Sequence, residues 1–186
     1  ANSEKNDIII YNDEKRTDEL TKFNMLRQRK IRNGMALSLS DFIAPIDSKI
    51  KDYIGAFAVT AGINAENLSL SYENTNDDYN SIMVKTLADR LAEALAELMH
   101  QRVRKEWGFP DDKKITNDDL IKEKYRGIRP AFGYPACPNH EEKEKLFEIL
   151  DATKIDMKLT ENYSMMPAAS VSGLYFANKN AEYFSI

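Results

Sequence analysis

The chain has 186 residues, 42% hydrophobic and 30% charged, which suits one globular domain with a real core and excludes a disordered segment. Its formal net charge of −4 offers no general attraction to nucleic acid. A single cysteine excludes an internal disulfide framework and fits a reducing, cytoplasmic setting, and no apolar run approaches the ~20 residues that span a bilayer. The polar opening ANSEKND carries no signal-peptide pattern.

Residues 8–11, IIIY, are β-branched and aromatic and predict a strand. Residues 12–18 read as a charged turn and residues 22–30 as a second strand, with Phe23 and Met25 on one parity. Arg27, Arg29, Lys30 and Arg32 form a small basic cluster that reads as a solvated strand face. Residues 40–45 make a short turn or strand end. Residues 53–60, YIGAFAVT, are a near-continuous apolar run, the pattern of a strand buried on both faces.

Residues 77–107 are the longest element. Val84, Leu87, Leu91, Leu95 and Leu98 recur at three- and four-residue steps and predict one apolar helix face covering a sheet. Asp77 and Asp78 favour its start; Arg102, Arg104 and Lys105 favour its end. Asp89 and Glu93 share a face one turn apart, beside Arg90 and Glu97. They read either as ordinary surface acids or as an acidic docking edge for a partner. His100 is expected to face solvent. Thr116 and Asp119 form a capping box opening a helix over residues 117–124, which Gly127 stops. Asn139 can cap a helix over residues 140–150, with Leu146, Ile149 and Leu150 inward. Strands are expected over 157–163 and 171–177, then a turn over 178–180 and a returning strand over 182–186 that closes a hairpin. The fold class is α+β: a twisted, mainly antiparallel sheet with helices packed on it. With no βαβ alternation and no GxGxxG, a Rossmann-type nucleotide site is not expected.

Residues 129–140, RPAFGYPACPNH, stand apart from their neighbours. Three prolines and a Gly-Tyr pair rule out helix and central strand and leave a conformationally restricted loop. Such loops carry function when a scaffold aims them, or serve as rigid connectors. Cys137, between Ala136 and Pro138, reads as a packed structural thiol, and with only His140 nearby no metal site is expected.

The segments GIRPAFGYPACP (127–138) and MKLTENYSMMPAASVSGLYF (157–176) closely resemble the activation domain of cobalamin-dependent methionine synthase. So do DFIAP (41–45), DYIGAFAVT (52–60) and DDYNSIMVKTLADRLAEALAE (77–97), in the same order, so the resemblance runs from about Ser40 to the end. It implies a site for S-adenosylmethionine (AdoMet). The family pattern Arg-x-x-x-Gly-Tyr is matched by Arg129, Gly133 and Tyr134, and a second family contact, on the last hairpin, by Tyr183 and Phe184. Phe132 stands where the family has proline; tolerance is expected because the flanking prolines remain. The chemistry of these residues suits the ligand. Arg129 can fork onto its carboxylate and Glu123 can take its ammonium. Gly133 lets the main chain approach, Tyr134 offers a π face to the sulfonium, and Pro130 and Pro135 hold the loop preorganised.

The resemblance implies a module without catalytic residues of its own. It would present the AdoMet methyl group for reductive remethylation of inactive cob(II)alamin, carried by a cobalamin-binding module of the same chain and reduced by flavodoxin or a related flavoprotein. The whole enzyme would transfer methyl from methyltetrahydrofolate to homocysteine. The alternative is a non-enzymatic AdoMet-sensing or docking module for a cobalamin-binding domain. The family module opens with a further helical portion bearing an acidic contact, for which no counterpart is found. Residues 1–186 therefore read as a single activation-domain fragment, cut from a larger modular enzyme.

Overall fold

Backbone pairing begins at the first residues of the chain. In the computed structural model, which describes residues 1–31, 34–112 and 114–186, Asn2–Glu4 (β1) and Asp7–Tyr11 (β2) pair antiparallel across the turn Lys5-Asn6. Glu19–Asn24 (β3) adds to the other edge of β2, setting Ile8 opposite Phe23 in the core. The chain continues through Gly55–Thr60 (β4), Ala65–Glu73 (α1), Asp78–Glu106 (α2), Asn117–Ile121 (α3), Glu142–Ile149 (α4), Lys158–Leu159 (β5), Met165–Met166 (β6) and Ser170–Tyr175 (β7). β4 pairs antiparallel with β7, and β5 with β6. The α+β class and the antiparallel pairing are as expected, but the strands are divided among three small sheets. No described helix is long and apolar enough to cross a membrane.

Three hydrophobic clusters lie among the described residues, a small one around Phe147, Ala152 and Met157 and two that bear on the site. The larger joins the N-terminal sheet to the rest: Ile8, Phe23, Leu39 and Phe42 pack with Ile128, Phe132, Leu146, Leu174 and Phe176. Ile149 and Leu150 pack against it too, as expected for α4. The second lies under α2, where Phe57, Val59 and Tyr175 meet Ala96. β4 serves both, since Phe57 and Val59 face α2 while Ala56 packs against the larger core.

Several expectations need correction. The buried face of α2 is not the leucine stripe. Leu87, Leu91 and Leu98 are 55%, 63% and 60% exposed, while Ala88, Ala92, Ala96, His100 and Arg104, at four-residue steps, are buried. Small side chains let the helix axis approach β4 and β7 closely, and a periodic apolar stripe alone does not say which stripe does so. His100 is therefore not solvent-facing but 2% exposed. Residues 182–186 form no returning strand. β7 already has β4 on one edge, and on the other Leu174 donates to Pro130 O while Ile128 and Phe176 exchange both backbone hydrogen bonds, so no edge is free for a hairpin partner. The expected strand over 157–163 shrinks to Lys158–Leu159, and that over 22–30 is the earlier β3. In the basic cluster Arg27 is not merely solvated: it forks onto Asp41 at 2.7 Å through both terminal nitrogens, while Arg29 and Lys30 are exposed and Arg32 lies outside the described residues. Asp41 in turn closes the capping box of the 3₁₀ turn Leu39–Phe42.

Candidate functional site

The Pro-rich loop is placed by its backbone. Thr116 and Asp119 form the expected capping box, and α3 ends at Ile121 rather than 124. Gly127 then takes φ +87°, and a Cβ there would lie 2.2 Å from Phe176 O. Only glycine allows this approach, which brings Ile128 alongside the end of β7. Alternation does the rest. Ile128 is buried in the larger core, and the next side chain, Arg129, turns towards α2. The Arg129 N–H donates to the Tyr183 hydroxyl at 3.0 Å, and Ile186 N–H donates to Pro135 O at 3.1 Å, tying the C-terminal segment to the loop.

Beyond Arg129 the loop folds on itself. Gly133 N–H donates to Cys137 O and Cys137 N–H to Tyr134 O, both at 2.9 Å. Gly133 has φ +98°, and the volume a side chain would take is filled by the His140 ring, 2.3 Å from the ideal Cβ. The room that Gly133 leaves is thus taken by this imidazole, not held open for a ligand. Phe132 turns the other way, into the core, stacking on Phe23 with centroids 5.5 Å apart. This explains why phenylalanine is accepted here: burying such a ring contributes about 2 kcal/mol. Asn139 Oδ1 accepts from Glu141 N–H just ahead of α4, whose first residue is Glu142 rather than His140.

An open cleft of about 420 Å³ lies between this loop, α2 and the C-terminal segment. Of the residues selected from sequence, Glu123, Arg129, Tyr134, Tyr183 and Phe184 all line it. So does Glu93, which the sequence offered only as part of a docking edge. Its neighbour Asp89 is exposed elsewhere. Gly133 is not among the lining residues, and Tyr183 and Phe184 reach the cleft from an irregular segment, not a hairpin. One cation, two carboxylates and an exposed tyrosine ring thus face a mainly apolar cavity, the donor set that suits a zwitterionic, cationic ligand with an aromatic part.

Behind Arg129 stands a buried polar array that sequence reading missed. Arg129 Nη2 donates to Glu97 Oε2 at 2.9 Å, and the Tyr125 hydroxyl donates to the same oxygen at 3.0 Å. Glu97, expected on a solvated face, is mostly buried here. Arg104, 1% exposed, lies over the Tyr125 ring at 3.7 Å and forks onto Asp111 at 2.6 and 2.7 Å. His100 stacks on Tyr175 at 4.9 Å and meets Tyr125 edge-on at 5.1 Å. Burial is the largest single influence and opposes the Arg129 charge, yet the hydrogen bond to Glu97, the Glu97 charge and the Tyr125 and Tyr183 hydroxyls together outweigh it and hold the guanidinium pKa above its ordinary value. For His100 burial and the neighbouring Arg104 and Arg129 act together and push the pKa down to about 3, so the ring is neutral.

The whole chain, residues 1–186, matches the family described as vitamin B12 dependent methionine synthase, activation domain. The chain belongs to this activation-domain family. A solved relative, the crystal structure of the MetH reactivation domain bound to AdoHcy, superposes with a TM-score of 0.95 at 50% sequence identity. The match covers 99% of this chain and 57% of that one, so the chain spans rather more than half of the relative's length. The α+β fold of this activation domain is therefore the family fold.

Cys137 has a structural role in this activation domain. It is 5% exposed, its thiol donates to Ala131 O at 3.0 Å, and burial pushes its pKa up to about 12. In the native protein at pH 8 it is expected to resist thiol reagents and to react fully once the chain is unfolded in urea. Rapid labelling of the native form would overturn this placement.

Proposed function

We propose that the chain binds AdoMet in the cleft between the Pro-rich loop and α2. There it presents the methyl group to cobalamin carried by a separate module, so as to return an inactive cobalamin to the methylated state. Arg129 takes the ligand carboxylate, Glu93 and Glu123 flank the ammonium, and the Tyr134 face meets the sulfonium. Tyr183 fixes the Arg129 backbone, and Phe184, packed against the larger core, adds apolar lining to the cleft. One observation carries the reading: the residues matching the family's Arg and Tyr positions, together with both carboxylates, converge on one cavity. The binding of AdoHcy by a relative of 50% identity supports it. When bound, AdoMet supplies an activated methyl cation equivalent; the chain's own residues supply position and charge balance, and none acts as acid, base or nucleophile.

In this proposal residues 1–186 are one unit of a longer modular methionine synthase that works in the cytoplasm and methylates homocysteine. Flavodoxin or a related flavoprotein delivers the electron.

Calorimetric titration tests the site. The chain is expected to bind AdoMet and AdoHcy with one-to-one stoichiometry, and Arg129→Ala to weaken both by about 10- to 100-fold, the loss typical of a charged hydrogen-bonding partner. A folded wild-type chain silent to both ligands would overturn the assignment. Unchanged affinity in the variant would remove the carboxylate from Arg129.

A further inference from the structure

We infer that Glu97 is a positioning residue for ligand binding: through its hydrogen bond it locks the Arg129 guanidinium in its ligand-facing orientation before any ligand arrives. The inference rests on the AdoMet reading of the cleft but addresses a residue that does not line it.

An arginine side chain has several free rotations, and one facing an open cleft ordinarily samples many of them. Arg129 is instead held at both ends. Its backbone N–H is on the Tyr183 hydroxyl and its Nη2 is on Glu97 Oε2. Its Nε is buried against the protein without a partner, so the guanidinium meets the cleft by the opposite edge. Glu97 can serve as the fixed point because it is itself fixed. The Tyr125 hydroxyl donates to the same oxygen, and Tyr125 is clamped between Arg104 over its face and His100 at its edge. Arg104 is already neutralised by its fork onto Asp111, while its own approach to Glu97 is only 3.8 Å. The Glu97 charge is therefore committed to Arg129. A ligand carboxylate thus meets a preset guanidinium, and the entropy of ordering that side chain is lost on folding rather than on binding.

Two measurements separate this role from a merely structural one. The first needs no ligand: the side-chain Nη2–H signal of Arg129, the group bonded to Glu97, assigned by its loss in Arg129→Lys. It is expected to be resolved and slow to exchange with water in the wild type and in Glu97→Gln, whose amide oxygen still accepts the bond. In Glu97→Ala it is expected to broaden and exchange fast. The second is titration with AdoHcy: Glu97→Ala is expected to bind at least 10-fold more weakly, with Glu97→Gln restored to within about 3-fold of wild type. Thermal unfolding of each variant establishes that it is folded, and Tyr125→Phe, which removes one donor and leaves the packing, serves as a milder second probe of the same chain of contacts. An Arg129 signal equally protected in Glu97→Ala overturns the inference, as does a glutamine variant as impaired as the alanine one. If the wild type binds no AdoHcy while the Nη2–H pattern holds, the locking stands and the AdoMet reading fails.

Discussion

Replacing Gly127 with alanine is expected to destabilise the chain by about 3 kcal/mol or more and to remove ligand binding with it. Two costs add. At φ +87° an L-residue sits in the left-handed region at a cost of roughly 1–2 kcal/mol. The new Cβ would also lie 2.2 Å from Phe176 O, a backbone atom that cannot rotate away. Relief requires moving residues 127–129 off the end of β7, which breaks the pair of hydrogen bonds between Ile128 and Phe176. Arg129, the next residue, moves with them. Gly108 is the internal control: it has φ +86° but nothing within 4 Å of its ideal Cβ, so Gly108→Ala reports the dihedral cost alone. Urea denaturation of both variants decides the matter. Equal losses would show that the contact with Phe176 carries no weight.

Acid is expected to destabilise the fold between about pH 6.5 and pH 3, through His100. Its pKa falls from the model-peptide value of 6.5 to about 3 in the folded chain, pushed down first by burial and then by Arg104 and Arg129. In that window the unfolded chain binds a proton that the folded chain refuses, so stability is full above the unfolded value and declines as pH falls, until the folded ring too takes up a proton. At pH 5 the loss is about 2 kcal/mol relative to pH 7.5, from ~1.4 kcal/mol for each pH unit crossed. Asp111 acts in the same direction at lower pH, since its hydrogen bonds from Arg104 hold its carboxyl below the usual range. Urea midpoints at pH 7.5, 6 and 5 measure the slope. His100→Gln, neutral at every pH, should be less stable at pH 7.5 yet flatten the profile above pH 5. A profile as steep as that of the wild type would assign the acid sensitivity elsewhere.

What the sequence revealed of the fold depended on where apolar side chains do the work. β2, β4 and α4 were visible because Ile8, Phe57, Leu146 and their neighbours mark a buried face. β1 was not, because its buried residues are Asn2 and Ser3, whose side chains are satisfied by Ala44 O, Ile50 O and Ile43 O. Nor was α1, whose only buried residue is Ser69, hydrogen-bonded to Ser81 of α2 at 2.7 Å. The orientation of α2 went wrong for a related reason: the stripe that packs is mainly alanine, which carries almost no hydrophobic contrast, while of the leucines that signalled a face Leu87, Leu91 and Leu98 point outwards and Leu95 is only partly buried.

The cleft was more legible than the fold around it. Arg129, Tyr134, Tyr183 and Phe184 were selected by family pattern and Glu123 by charge, and all five converge. Glu97 was not legible, because its partners Tyr125 and Arg129 lie 28 and 32 residues away and nothing in helical spacing links them. Burial of a charge can be read from a sequence only when its partner is local.

The backbone bonds between the Pro-rich loop and β7 have a consequence for cooperativity. Leu174 and Phe176 donate to Pro130 O and Ile128 O, and Gly173 passes so close that an ideal Cβ would be 2.5 Å from Pro130 O. The loop cannot lift away without uncovering the sheet, so the two form a single opening unit in hydrogen exchange. A ligand held by Arg129 must therefore slow the exchange of the Leu174 and Phe176 amides, although it touches neither, and the sheet itself becomes the reporter of an occupied cleft.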